Sequence, residues 1–493
     1  MFLYIRMALL MLVSLFTSRI TLQALGVEDY GIYNVVGGIV IFLSFLNNTL
    51  TISTQRFLNY EMGQKQPDNL YKVFSVALTG HYVIAFFFLL LAETIGLWFV
   101  YYHLVIPQER FVAMLWVYHF SVLTFIINII STPYNAAIIA CEKMDVYAYI
   151  AILEAVMKLF IAYLLLVVSF DKLKLYAVLL FLLAVVVRFV YYLYCRRKIA
   201  WISSTLSWNR KMMAKIFSFS GWIFLGGFSQ VLCVQGVNVL INLFFNPIHN
   251  AARGIAMQLQ AAVHTFSANF MTAVRPQIVK SYSSQNYAYA YKLTCSSARI
   301  SFFLLLIITM PVLLNTEFIL SLWLGNVPPY SVCFARLALI DVLFTSMISP
   351  VAALSQATGK VKNYQLIISV SFFLVFVLTY LFYKLHFPSY VTFLISIIMT
   401  LVGTTGRVLE LRCSANFPIL YFVKDVVLRI LLVSFGTILT LVLLANIFSF
   451  IDGTLNVIVM SLFSIILSCA YIWLWGINKA EKEFIINRIK LKH

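Results

Sequence analysis

The sequence predicts an all-α integral membrane protein: about 14 transmembrane helices, arranged as two pseudo-symmetric six-helix bundles plus two extra C-terminal helices. Three observations lead there. Of 493 residues, 62% are hydrophobic and only 11% charged, with a mean hydropathy of +0.95. A soluble domain carries roughly 25% charged residues, so this chain could not cover a water-facing surface and the bilayer must be its solvent. The apolar residues fall in long runs, and two separated segments recur at nearly the same offset.

A spanning helix needs roughly 20 apolar residues. Runs that meet this lie at 2–24, 32–54, 73–101, 111–140, 146–170, 174–195, 217–245, 250–275, 293–323, 331–357, 363–384, 389–413, 424–449 and 455–477. The fourth and ninth are long and contain Pro133 and Pro311, which tilt or a kink could absorb. The N-terminal run is longer than the apolar region of a signal peptide and lacks a small-residue cleavage site, so it reads as the first span.

Net charge is formally +18. In a soluble protein that would point to nucleic acid; here most of it belongs to loops, because cytoplasmic loops collect Lys and Arg. With the N-terminus inside, the inside loops carry Lys65, Lys72, Lys143, the cluster Arg196, Arg197, Lys198, Arg210, Lys211 and Lys215, then Lys280, Lys292, Lys360, Lys362 and a basic tail. The outside loops carry only Arg110, Lys172, Lys174 and Lys384, with acids that include Asp29, Asp171 and Asp452. Both termini are therefore expected in the cytoplasm.

The longest polar stretch, 196–216, is the natural join between two halves. STPYNAAIIACEKMDVYAYI, from Ser131, matches ISPVAALSQATGKVKNYQLI, from Ile348, at an offset of 217, which sets Pro133 on Pro350, Lys143 on Lys360 and Tyr147 on Tyr364. Arg56 and Arg275 are offset by 219. The expected domains are 1–200, an N-terminal six-helix bundle; 210–415, its repeat in the same orientation, related by an axis along the membrane normal; and 420–493, helices 13 and 14 with a cytoplasmic tail.

Several chemistries find no support. The seven Cys are scattered with no CxxC, and the seven His form no HExxH, so neither a disulfide framework nor a metal site is indicated. There is no Walker-type glycine loop, no GxSxG and no loop longer than roughly twenty residues. No cofactor, no nucleic-acid partner and no enzymatic activity is expected.

Ionisable residues inside spans carry the information. Each costs at least about 2.5–3.5 kcal/mol at the bilayer centre, so each should face protein or water. The basic set is Arg19, Lys158, Arg188, Arg253, Arg299, Arg336 and Arg407; the acidic set is Glu93, Glu154, Asp341 and Glu410, with Glu317 nearer a span end. This excess of cations suits an anionic ligand such as a phosphate or pyrophosphate. Arg19, Arg188, Arg253 and Arg299 have no in-register acidic neighbour and either line a cavity or cap helix carbonyls. Arg56 and Arg275, near span ends, either snorkel to headgroups or guard a cavity mouth. Glu154 and Lys158, four apart, form an ordinary helical ion pair, and Arg407 and Glu410 could pair at three apart. Arg336 and Asp341, five apart, need separate partners. Glu93, Glu154 and Asp341 are the candidates for coupling to an ion. Amides at Gln230, Gln235, Asn238, Asn242, Gln258, Gln260 and Asn269 gather in the seventh and eighth spans, to bond a sugar or glue helices.

The segment SRITLQALGVEDYGIYNVVGGIVIFLSFLNNTLTISTQRFLNYEMG resembles the opening of Wzx-type polysaccharide flippases, which belong with the MATE multidrug exporters and the lipid II flippase in the multidrug/oligosaccharidyl-lipid/polysaccharide (MOP) exporter superfamily. The LGxxxYGxY pattern, here Leu25, Gly26, Tyr30, Gly31 and Tyr33, is the best marker; AETIGLW around Glu93, STPYNAAIIACEKM and QATGKVKNYQ extend it over nearly the whole chain. The resemblance implies a V-shaped pair of bundles around a central cavity that opens to each side in turn. It implies as substrate an undecaprenyl-pyrophosphate-linked oligosaccharide unit destined for O-antigen, other lipopolysaccharide or capsule. Membrane lipids and a polysaccharide polymerase or assembly protein are the implied partners. In the lipid II flippase, arginines of spans 1, 2 and 8 are tied to the pyrophosphate; Ser18–Arg19 matches the first of these, and Arg56 and Arg275 approximate the others from nearer the cytoplasmic ends. Spans 13 and 14 would form a groove for the lipid tail. The expected substrate-binding set is thus Arg19, Arg56, Arg188, Arg253, Arg275, Arg299 and Arg407. A MATE-like exporter of cationic drugs would want more acids in its cavity, a membrane polymerase or ligase a large outside loop, and a structural subunit would tolerate loss of single cavity charges.

Overall fold

Inside a bilayer every backbone polar group needs an internal partner, and helices alone supply it here. A computed structural model describes residues 9–10, 13, 16–17, 19–21, 23–26, 29–30, 32–33, 44–64, 67–103, 108–168, 170–202, 205–245, 247–324, 327–447, 453–478 and 481–483, and there is no strand among them. Ser18, Gly31, Lys65, Asp452 and the tail beyond Glu483 lie outside the described residues. Rows of large apolar side chains are exposed, among them Phe86, Phe87, Phe189, Leu431 and Phe435, the surface that lipid tails require.

The chain divides into two compact units, Met1–Gly227 and Phe228–His493. The first contains α1 (Ser44–Gly63), α2 (Pro67–Leu91), α3 (Leu97–His103), α4 (Phe111–Ala140), α5 (Met144–Val167), α6 (Lys172–Lys198) and the first half of α7 (Arg210–Phe244). α4 is its centre and packs on α1, α2 and α6, with α5 against α6. Leu58, Phe74, Met114, Ile129 and Ile138 fill the core between them. The boundary between units falls within α7 rather than in the basic loop, because Met213 and Ile216 pack on Val76 and Ala77, and Phe219 meets Phe57 edge-on.

The second unit continues with α8 (Pro247–Ser283), α9 (Tyr287–Leu314), α10 (Thr316–Leu324), α11 (Ser331–Ser346), α12 (Ile348–Thr358), α13 (Lys362–Lys384), α14 (Val391–Ala415), α15 (Ile419–Phe422), α16 (Leu428–Ile447) and α17 (Gly453–Tyr471). Here α8 packs on α9, α11 and α12; α14 packs on α11 and α13; α17 packs on α9. The neighbours of α11–α12 thus follow the same order as those of α4 in the first unit. The offset of 217 also pairs two left-handed residues: Glu142 (φ 60°) beyond α4 and Gly359 (φ 77°) beyond α12. Glu142 occupies a conformation that costs an L-residue about 1–2 kcal/mol, which glycine avoids at 359.

Eleven described helices are long and apolar enough to cross a membrane. The three expected spans missing from that number are 2–24 and 32–54, of which only parts are described, and 250–275. The last is present as α8, a helix of 37 residues, but Arg253, Gln258, Gln260, His264, Asn269 and Arg275 make it too polar to qualify by composition. α8 also runs on through Pro276 rather than ending before it. Pro350 behaves differently. It has no N–H to give the carbonyl four residues back, and the helix is interrupted at Met347, with the Ser346 hydroxyl bonding Leu343 O at 2.7 Å.

Within the first unit, Arg110 bonds Asp29 at 2.9 Å and Asp171 at 3.6 Å. Three loops separated by pairs of spans therefore meet on one side, as alternating crossings require.

Candidate functional site

Charge inside a bilayer protein is best sorted by what neutralises it. The lower-cost solution is a carboxylate on the same helix, and Glu154–Lys158 on α5 takes it at 2.6 Å. Arg299 takes a long-range one. It sits on α9 at 0% exposure, its Nη1 2.7 Å from Asp425 Oδ2 and its Nη2 2.6 Å from both oxygens of Glu481. Asp425 lies in the π-helical turn Val423–Val427 and also meets Arg429 at 3.3 Å and Asn478 at 3.0 Å. Ser296 and the Asn478 N–H complete the shell of Glu481, each at 2.8 Å. Two cations face two carboxylates, so the cluster is neutral. Arg299 was expected to line a substrate cavity; it is instead the buried tie that fastens the last two helices to α9. Asp425 and Glu481 fall outside the span interiors, which is why sequence reasoning passed over them.

The remaining arginines differ. Arg253, 6% exposed on α8, donates to Val234 O at 3.3 Å and to the side-chain oxygen of Asn238, both uncharged. Arg407, 6% exposed on α14, lies over the Tyr364 ring at 5.9 Å, and its Nε has no partner. It does not pair with Glu410, whose Oε2 is also buried without a partner. Arg275 has a buried, unpartnered Nε on α8. In the first unit Arg188 donates to the Tyr82 hydroxyl at 2.9 Å. Arg56 lies among the rings of Phe57, Tyr60 and Phe219, 4.7–5.3 Å from their centroids. Arg19 is exposed. Among the described residues, no carboxylate lies within ion-pair distance of Arg188, Arg253, Arg275 or Arg407.

The arginines of the second unit do not gather at one point. Arg253 and Arg275 are separated by about 33 Å along α8 at 1.5 Å per residue, close to the thickness of the hydrocarbon core. Asp341 on α11 fixes a common level, since it accepts from Gln260 of α8 and Thr400 of α14, each at 3.0 Å. α8 and α14 run in parallel, as three crossings (α9, α11–α12 and α13) lie between them. Arg407 therefore lies about 10 Å, and Arg275 about 22 Å, to one side of that level, with Arg253 about 10 Å to the other. Of these three arginines, one is displaced towards one end of the helices and two towards the opposite end.

The acidic candidates separate in the same way. Glu154 is consumed by Lys158. Glu93 meets His119 Nδ1 at 3.1 Å from the π-helical turn Ala92–Gly96, where the Tyr118 hydroxyl bonds Ala92 O at 2.6 Å and a side chain at Gly96 would strike that hydroxyl. Asp341 has two neutral donors and no described cation within ion-pair distance, so it is the carboxylate with room for one. Arg336, five residues earlier, turns instead to Thr316 at 3.4 Å.

The fold is similar to that of solved transporters of the MOP superfamily. An outward-facing multidrug-resistance MATE family transporter of that superfamily superposes with a TM-score of 0.71 at 14% identity, over 84% of this chain and 94% of its own. A MATE structure in the bent conformation gives 0.71 at 13% identity, over the same shares of the two chains. A MOP-superfamily transporter from Pyrococcus furiosus, described as having a binding pocket of reversed polarity that suggests a different function, gives 0.68 at 14% identity, over 84% of this chain and 94% of its own. No family model and no curated protein matches the chain.

Proposed function

We propose that this protein is a flippase that carries a polyprenyl-pyrophosphate-linked oligosaccharide across the cytoplasmic membrane by alternating access. The observation that carries this reading is the set of arginines without a carboxylate: Arg253, Arg275 and Arg407 in the second unit and Arg188 in the first. A buried guanidinium whose charge the protein leaves uncompensated favours an anion, and its planar fork fits phosphate oxygens with two bonds. Cations displaced towards opposite membrane faces suit a headgroup that is taken up on one side and released on the other. Asp341 is the proposed coupling carboxylate.

The test is transfer of fluorescent undecaprenyl-pyrophosphate-N-acetylglucosamine across proteoliposomes. Transfer should require the protein, and Asp341→Asn should remove its dependence on an imposed sodium or proton gradient. A MATE-like reading shares the fold and would draw on Asp341 as its acid. Gradient-driven export of an organic cation with no lipid transfer would replace the flippase by that exporter.

The topology is proposed as fourteen crossings with both ends cytoplasmic, from the loop charges. In a cysteine-free background, needed because Cys333, Cys413 and Cys469 are exposed, a cysteine at 171 or 452 should label from outside intact cells and one at 198 should not. The opposite pattern inverts the orientation.

A further inference from the structure

We propose that the N-terminal unit contains a glycosyl-binding pocket, separate from the arginines, that takes a sugar of the transported oligosaccharide; the proposal rests on the flippase reading for the identity of that sugar's carrier. The unit has a half-open cavity of about 410 Å³ lined by Leu10, Val13, Thr17, Thr21, Tyr30 and Tyr33 together with residues of α5 and α6, within the roughly 300–1,000 Å³ of small-ligand pockets. Its walls combine two kinds of surface. Tyr33 and Tyr176 meet edge to face, with centroids 4.9 Å apart, and Tyr30 joins them in the lining. Thr17 and Thr21 supply hydroxyls, and the buried Thr17 oxygen has no hydrogen-bond partner among the described residues. Leu10, Val13 and Ala151 are the apolar remainder.

The charge of the cavity is the deciding feature. Among its described lining residues the two ionised side chains, Glu154 and Lys158, neutralise each other at 2.6 Å. A pyrophosphate would find a single ammonium already held by a carboxylate. An organic cation would find that carboxylate already paired. The rest of the described lining is uncharged, bears hydroxyls and is flanked by rings. A pyranose presents C–H faces to aromatic rings and a rim of hydroxyls that both donate and accept, which tyrosine and threonine hydroxyls answer in kind. The two tyrosines of the LGxxxYGxY pattern, Tyr30 and Tyr33, thereby acquire a specific task.

The probes are methyl glycosides of glucose, galactose, N-acetylglucosamine and glucuronic acid at millimolar concentration. They are presented to the full-length protein in nanodiscs, with binding read by saturation-transfer difference NMR. At least one should show transfer from wild type. Thr17→Ala and Tyr33→Phe, which keep the apolar framework, should each weaken it by about fivefold, the loss of one neutral hydrogen bond. Absence of transfer from wild type, or transfer undiminished in both variants, overturns the pocket. That outcome is distinct from failure of the flippase reading, since lipid transfer in proteoliposomes is measured without reference to these residues. A pocket that binds glycosides in a protein that moves no lipid would leave the site standing and the carrier wrong.

Discussion

Arg299→Gln should lower the melting temperature of the detergent-purified protein by roughly 10 °C and cut its yield. Removing one partner of a buried ion pair costs about 3–5 kcal/mol, because the other charge is left without compensation, and each kcal/mol shifts a domain of this size by roughly 2–4 °C. Here two carboxylates lose the same partner at once: Asp425, buried in its π-helical turn, and Glu481, bonded through both oxygens. Arg429 still offers Asp425 a cation at 3.3 Å, so Glu481 is the more strongly affected of the two. Arg299→Lys should recover only part of the loss, since an ammonium cannot present two parallel bonds to Glu481 while reaching Asp425. Combining Arg299→Met with Glu481→Gln should do better than Arg299→Gln alone, because it removes the stranded charge. Fluorescence-detected size exclusion after heating reads all four proteins, and an unchanged melting temperature for Arg299→Gln would refute the tie. Any export defect of this variant should scale with protein level, which separates it from a ligand-binding residue.

How far the sequence reaches can be seen in the charged residues. Hydropathy and composition are sums over many positions, so the all-helical membrane fold, and most of its spans, survive errors at any one of them. α8 escapes the composition criterion for the same reason that makes it interesting: ten of its residues are charged, amide or imidazole. Pairings on one helix follow from the 3.6-residue period, and Glu154–Lys158 was legible on that ground. Arg407 and Glu410, three apart, also fall on one helix face and do not pair; Tyr364 on the neighbouring helix lies against the guanidinium instead. Arg299 looked equally unattached, yet its partners lie 126 and 182 residues away. No local pattern carries that distance. A local charge count could thus mark Arg253, Arg299 and Arg407 alike, and only the packing separates the one that holds the fold together from the two whose charge is left over.

For those two, and for Arg275, the expected result is loss of transport without loss of protein. A hydrogen bond to a charged group contributes about 1.5–3 kcal/mol, so deleting one that forms with the pyrophosphate should slow export by roughly 10- to 150-fold if that step limits the cycle. Arg407→Gln should show the largest effect, because its guanidinium has one face on Tyr364, a buried Nε without a partner and no carboxylate within ion-pair distance among the described residues. Arg253→Gln should show less, since Asn238 and the Val234 carbonyl already share its donors. Lys at each position should retain part of the rate, as a point charge without the fork. Because Arg253 lies towards one membrane face and Arg275 and Arg407 towards the other, their defects should differ in kind. Loss at one end should leave labelled lipid bound from the uptake side, and loss at the other should prevent its capture. Surface polysaccharide in complemented cells, normalised to membrane levels by blotting, measures the rate, and lipid co-purified with each variant reports the stage of arrest. Well-expressed Gln variants of Arg253, Arg275 and Arg407 that all export at the normal rate would rule out the cationic mechanism. The Arg299 tie would be untouched by that result, since its carboxylates are supplied by the protein itself.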